Sequence, residues 1–434
     1  MNELIVIITI LGISGIGYMM LTGFRLFAKQ DTLLALGCSY GLGVGLIAAQ
    51  LFVYSWLQIP WGKALLITPW LFIAGILLVQ KKVPFPFRFT MSRKDIISWG
   101  LFGGIVLSTS YVLFEALLRP VTTWDAWANW LFQSKVFFVE GSIRPESLMY
   151  MDSEYPLTIN LLGTFIYVML GVVDDTAVLL FSSAFFIFLA MTFFAVLNKK
   201  YGLRYALLFT FLLVTIQNFV RHGGRIEAGL ADLPLGYMAF VSVILLFEYF
   251  KRPKVKILIL LTIFLSITSL IKFEGIPLAC FIGACALVHL IRHKLYNHIC
   301  VLILGVVPFV LWQADRWYMG INNTYFTSGG HFLELSMAKT LNAFAGTFSE
   351  LIRIPTWNVL WILYFFAVFA FGLRKDKALF VLNAIILSQF TVYLMIYNLT
   401  AGNNPESSIE RLLMHIAPLA LLYLAILGKT NKSI

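Results

Sequence analysis

The residues able to do chemistry in this 434-residue chain are carboxylates and cations gathered in a few short segments. The first is Trp124-Asp125-Ala126-Trp127-Ala128-Asn129-Trp130, followed by Leu131, Phe132 and Gln133. Read as a helix, it stacks Asp125, Asn129 and Gln133 on one face and Trp124, Trp127 and Leu131 on another, as an amphipathic helix in a headgroup layer does. Asp152 and Glu154 come next, just before Tyr155-Pro156. The densest segment runs Arg221-His222-Gly223-Gly224-Arg225-Ile226-Glu227 and closes on Gly229 and Asp232. Lys272 with Glu274, and Glu410 with Arg411 and His415, complete the set. A carboxylate can accept a proton from a hydroxyl, a guanidinium can grip two oxygens of an anion, and an ammonium supplies a point charge. Each group also has a plain structural account. Asp125 can cap a helix, Asp152 and Glu154 suit the start of one, and the others can be self-satisfied ion pairs.

The elements that position these groups are set by hydropathy. With 60% hydrophobic and 12% charged residues, the chain is no ordinary soluble protein. Long uninterrupted apolar runs satisfy their backbone in lipid as helices, and they lack the alternation of barrel strands. The formal charge of +11 falls in short clusters between runs and forms no nucleic-acid module. Cys38, Cys280, Cys285 and Cys300 show no CxxC spacing, and the six histidines are scattered, so no metal site or disulfide framework is indicated. Gly428-Lys429-Thr430 has Tyr423 where a P-loop needs its earlier glycine.

Fourteen apolar runs can be read between residues 4–24 and 411–427. Basic turns at 25–29, 81–95, 199–204, 251–256, 292–294, 374–377 and 429–432 belong to the cytoplasm by the positive-inside rule. Their parity holds only if run 157–173, short and ending at Gly171 before Asp174 and Asp175, is re-entrant, tilted or interfacial. That leaves about thirteen crossings, with the N-terminus outside. It puts 21 of the 32 Lys and Arg residues inside and 17 of the 21 acidic residues outside. The expected class is an all-α polytopic membrane protein whose external loop carries amphipathic helices.

An early external acid, a Pro-led apolar run ending in glycine and a later acid at the outer edge of a span resemble the GT-C type glycosyltransferases that use polyprenyl-phosphate sugars. The branch it resembles is that of the protein O-mannosyltransferases, the aminoarabinose transferases and the bacterial RgtA/B/C/D-like proteins. The likeness covers about residues 96–300. It implies a GT-C-like helical bundle with accessory helices at 1–80, a catalytic unit at 81–318 including the external loop 119–156, and a further external loop and C-terminal helices at 319–434.

The resemblance also implies catalytic roles for Asp125, Glu154 and Asp232, with Asp125 acting on the acceptor and Arg221 or Arg225 contacting lipid phosphate. Tyr155-Pro156 stands where that branch has Lys-Pro-Pro. On chemical grounds Asp125 is the base, while Arg221, Arg225, Lys272 and Arg411 form a clamp, with Asp152, Glu227, Glu274 and His415 beside them as further substrate-binding candidates. The implied reaction is inverting transfer from a lipid-phosphate sugar to a glycan, lipid or protein acceptor. It calls for no separate cofactor and no metal. The expected location is a bacterial inner membrane, with membrane lipid as a partner and the site facing out. A transporter or flippase of lipid-linked sugars is the alternative, and a non-catalytic scaffold a third class.

Overall fold

The computed structural model describes residues 1–27, 31–79, 95–148, 155–321, 337–371, 376–399 and 405–430. Every regular element among them is helical. The first helices are α1 (Asn2–Gly23), α2 (Thr32–Trp56), α3 (Lys63–Val79) and α4 (Ile96–Leu118). A π-helix at Asp125–Trp130 leads into α5 (Leu131–Glu140), and α6 (Thr158–Leu170), α7 (Leu180–Tyr201), α8 (Leu203–Val214) and α9 (Gln217–Gly224) follow. Next come α10 (Asp232–Lys251), α11 (Val255–Ser269), α12 (Gly275–Arg292), α13 (Ile299–Leu304) and α14 (Val307–Tyr318). The chain continues through α15 (Met337–Leu351), α16 (Ile354–Trp357) and α17 (Leu360–Phe371) to α18 (Lys377–Leu399), α19 (Pro405–Met414) and α20 (Ala417–Thr430).

Among the described residues, eight helices are long and apolar enough to cross a membrane, or up to ten if two bent pairs each count as one span. The pairs are α8 with α9, bent by 69°, and α19 with α20, bent by 49°. Among the described residues, run 257–272 of the expected thirteen folds into a shorter helix, α11, with 15 residues. The run at 157–173 gives α6, whose 13 residues rise about 20 Å against a hydrocarbon core of about 30 Å. Gly171 ends it in the left-handed conformation, with φ of 82°.

Helices α7 and α10 run through the interior, whereas α4 and the α13–α14 segment turn most of their apolar side chains outward. Leu107, Phe114, Ile303, Leu304, Phe366 and Phe369 are exposed on this outer surface. Such a belt suits contact with lipid, and the molecule is a multi-pass helical membrane protein. The N-terminal helices share the same core. Tyr237 on α10 donates to the carbonyl of Gly37 on α2 at 2.7 Å and accepts from the N–H of Gly41 at 3.2 Å. Helices α1 and α2 meet backbone to backbone. A Cβ at Gly17 would run into the carbonyl of Ser39, and one at Gly43 into that of Ile13, while Ser14 and Ser39 share a hydrogen bond of 2.7 Å. Small residues let membrane helices approach in this way.

The two ends of the bundle differ in charge. At one end Lys199 pairs with Asp31 at 2.7 Å and with Glu248 at 3.6 Å, and Arg204 pairs with Asp95 at 2.9 Å. These contacts gather the basic turns that the hydropathy pattern separates. The opposite end of α10 carries Asp232.

Gly43→Ala is expected to lower stability by about 1–3 kcal/mol, because the added methyl group forces α1 and α2 apart. Gly12 on α1 has open space around its Cβ position, so Gly12→Ala serves as the control and leaves stability unchanged or raised by up to about 1 kcal/mol. Thermal unfolding of both variants in one detergent measures the difference.

Candidate functional site

Asp232 opens α10 as the first residue of the helix, where a negative charge is favoured. Pro234 falls in the first turn, where its missing N–H removes no intrahelical bond. The Asp232 side chain is fully buried and meets three partners. Lys272 Nζ donates to Oδ1 at 2.9 Å, Arg411 Nε donates to Oδ2 at 3.0 Å, and His415 Nε2 lies 3.0 Å from Oδ1. Arg411 and His415 are four residues apart at the bend between α19 and α20, so both turn towards the same carboxylate. Lys272, in the turn between α11 and α12, also reaches Glu274 Oε1 at 3.1 Å. Tyr393 of α18 holds the far nitrogen of His415, its hydroxyl standing 2.9 Å from Nδ1. Gln389 of the same helix donates to the Glu274 carbonyl at 3.0 Å.

Arg411 has a second acidic partner. Its Nη1 donates to Oδ2 of Asp125, so one guanidinium joins the external segment to the buried carboxylate. Exposure grades across this bridge, from 42% for the Asp125 side chain through 21% for Arg411 to zero for Asp232. The segment that presents Asp125 differs from the expected amphipathic α-helix. Asp125–Trp130 winds as a π-helix, and its wider turn breaks the four-residue stacking. Leu131 turns into the core together with Asn129 and Gln133, leaving Trp124 and Trp127 exposed. Gln133 accepts from Asn160 Nδ2 at 3.0 Å, which ties the segment to α6. Gly229, with φ of 94°, folds the 225–231 loop against it, and a Cβ there would stand 3.1 Å from that of Ala126. Its N–H donates to Ser182 at 2.9 Å.

A second cluster adjoins the first because Glu410 precedes Arg411. Arg221 on α9 forks between Glu227 and Glu410. His222 Nδ1 lies 3.0 Å from Glu227 Oε2, and Arg353 Nη1 lies 3.5 Å from Glu410 Oε2. Burial pushes the Glu227 carboxyl up, but His222 and Arg221 outweigh it and hold the group below the ordinary glutamate range. Arg225 belongs to neither cluster. It lies 3.7 Å from Glu115 on α4, with its guanidinium over the ring of Tyr111. Gly224 allows this approach, since a Cβ there would strike the carbonyl of Val112.

Of the site residues expected from sequence, Asp125, Asp232, Lys272, Glu274, Arg411 and His415 therefore come together, while Arg221 and Glu227 form the adjoining cluster. Asp152 and Glu154 lie outside the described residues. Sequence reading did not single out Tyr393, Arg353 or Glu115. Glu115 carried a signal nonetheless, as an acid inside an apolar run. Tyr393 and Arg353 had none, because a tyrosine in a span and an arginine in a loop are ordinary. Phe52, Leu157, Leu161, Ile267, Leu270 and Trp312 line an apolar cavity of about 240 Å³. Leu270 precedes Lys272 by two residues, and the neighbouring Phe273 ring packs on Tyr155 at 5.0 Å. Among the described residues, no group of three His, Cys, Asp or Glu side chains is placed to hold a metal ion. Comparison with protein-family models, with curated proteins and with solved structures found no match for this chain.

Asp232→Ala leaves Lys272 and Arg411 without their shared anion and is expected to cost about 3–5 kcal/mol in denaturant unfolding. Adding Lys272→Met to it should recover part of that loss. Glu227 has a second, pH-dependent signature. Its lowered pKa contributes stability above the unfolded value of 4.5, which is lost as pH falls through the folded value. The melting-temperature gap between wild type and Glu227→Gln should therefore be widest near neutrality and close below about pH 4.5.

Proposed function

We propose that the protein is a membrane glycosyltransferase of the GT-C type, moving a sugar from a polyprenyl phosphate to an acceptor hydroxyl at the acid-lined end of the bundle. The observation that carries this reading is the sharing of Arg411 between the half-exposed Asp125 and the buried Asp232. It sets a base and an anion-binding cation side by side, which is what transfer from a lipid phosphate requires.

In the proposed step the acceptor oxygen attacks the anomeric carbon while the bond from that carbon to the phosphate oxygen breaks. The hydroxyl proton passes to Asp125. The electron pair of the broken bond leaves on polyprenyl phosphate, whose charge Arg411 meets, with the buried Lys272 adding its field from behind. One displacement inverts the anomeric centre. Asp232 is then a positioning residue, because its oxygens are engaged by Lys272, Arg411 and His415 and its side chain has no exposed surface. The apolar cavity beside Leu270 would take the start of the prenyl chain, whose burial contributes about 0.8 kcal/mol per CH₂ group. The acceptor would approach from the side on which Asp125 is open. By the charge bias of the turns that side faces outward, and the setting is a bacterial inner membrane.

Purified protein incubated with labelled polyprenyl-phosphate hexose and an envelope extract as acceptor source should release polyprenyl phosphate. Asp125→Asn should slow release by about 10²–10⁴-fold with the fold intact. Undiminished turnover in that variant would remove Asp125 as the base. Movement of labelled lipid across proteoliposomes with no new glycosidic bond would replace the transferase by a carrier.

A further inference from the structure

The basic end of the bundle holds a second cavity, of about 270 Å³, between α7, α10, α18 and α20. Its polar rim carries Lys200, Lys251, Lys377, Tyr201 and Glu248, and its apolar wall includes Ile244, Leu422 and Ile426. Three ammonium groups thus face one lining carboxylate, and a second, Asp376, lies near Tyr201 but caps α18 by accepting from the N–H groups of Ala378 and Leu379. The lining carboxylate is already engaged, since Glu248 lies 3.0 Å from Lys251 and 3.6 Å from Lys199. Lys200 rests 5.0 Å over the Tyr201 ring, and Lys377 rests 5.0 Å over Phe250 with its Nζ 3.5 Å from His289 Nδ1. The Tyr201 hydroxyl is enclosed and has no hydrogen-bond partner among the described residues. A cavity rimmed by three ammonium groups suits an anionic oxygen.

We propose that this cavity binds the headgroup of an anionic phospholipid. The phosphate would sit among Lys200, Lys251 and Lys377, while the acyl chains follow the apolar wall. A lipid is the occupant rather than free phosphate because Ile244, Leu422 and Ile426 offer nothing to a hydrated ion and bury hydrocarbon well. Asp232 and Lys251 are the two ends of α10, so about 30 Å separates this site from the carboxylate cluster. The inference therefore stands or falls separately from the transferase reading.

The test uses the full-length protein in neutral detergent, with bound lipid counted by native mass spectrometry after titration with phosphatidylglycerol or phosphatidylcholine. Wild type should retain phosphatidylglycerol in preference to phosphatidylcholine. The double variant Lys200→Gln/Lys377→Gln should weaken that retention about 25-fold, about fivefold for each cation removed. Ala378→Trp fills the cavity and keeps every lysine, so it should abolish the preference as well. It also carries the test if the double variant does not fold. Arg252→Gln/Lys254→Gln removes two cations of the same end that do not line the cavity, and should change nothing. Equal retention of the two lipids would overturn the proposal, as would equal weakening by the control pair, which would mean diffuse surface charge. Displacement of phosphatidylglycerol by inorganic phosphate would make the ligand a soluble anion and also overturn it.

Discussion

A carboxylate removed from water has to be surrounded by positive charge, and Asp232 shows how much of a fold that requirement can organise. Its partners come from the turn after α11 and from the bend after α19, and through Arg411 the constraint reaches the π-helix of the external segment. Four stretches that are distant in sequence thus share one electrostatic centre. Hydrophobic packing alone could set these helices at several rotations and depths with similar energy, since lipid and protein interiors are equally apolar. An ion cluster accepts far fewer arrangements. Its value lies in specificity more than in net stabilisation, because taking each charge out of water offsets much of the attraction.

The bends of the helical pairs belong to the same logic. The angles of 69° between α8 and α9 and 49° between α19 and α20 each interrupt a run of backbone hydrogen bonds. Within a membrane such interruptions are tolerated only where protein or a polar cavity satisfies the freed groups. Here the segment beyond the first bend carries Arg221 and His222, and the second bend falls between Arg411 and Ala417 beside His415. Asn218 also donates to the carbonyl of Glu410 at 3.0 Å, joining one broken pair to the other. The breaks and the charges therefore occupy one end of the bundle, while the straight helix α10 runs from that end to the basic one.

Hydropathy made the helical membrane class legible, and the sign of the turns already separated a basic end from an acidic one. The Arg411–Asp232 contact shows where that reading stops. The two residues are 179 positions apart, and neither carries a local mark of the other. Asp125 was legible as an external acid among tryptophans, but its π-helical setting was not, because an i to i+5 pattern leaves no trace in composition. That is why Leu131, which α-helical spacing places on one face with Trp124 and Trp127, lies in the core while the two tryptophans are exposed. The number of spans is less legible for a simpler reason. Hydropathy measures how apolar a run is, whereas α6, with 13 residues, and α11, with 15, show that an apolar run need not be helical for long enough to cross.

Arg411 also bears on how the two halves of the proposed chemistry relate. Asp232 is fixed by three partners, whereas Asp125 is exposed by 42% and meets the guanidinium from the open side. An anion arriving at Arg411 can therefore compete with Asp125 far more easily than with Asp232. On the transferase reading the donor phosphate is that anion, and its binding would draw the guanidinium away and leave the Asp125 oxygen open to a hydroxyl proton. Base and clamp would then be linked in order. Without donor, Asp125 stays tied to a cation, and it becomes free where a sugar is present to receive the attack. A guanidinium suits this exchange better than an ammonium, because it can hold Asp232 through Nε while its outer nitrogens change partner.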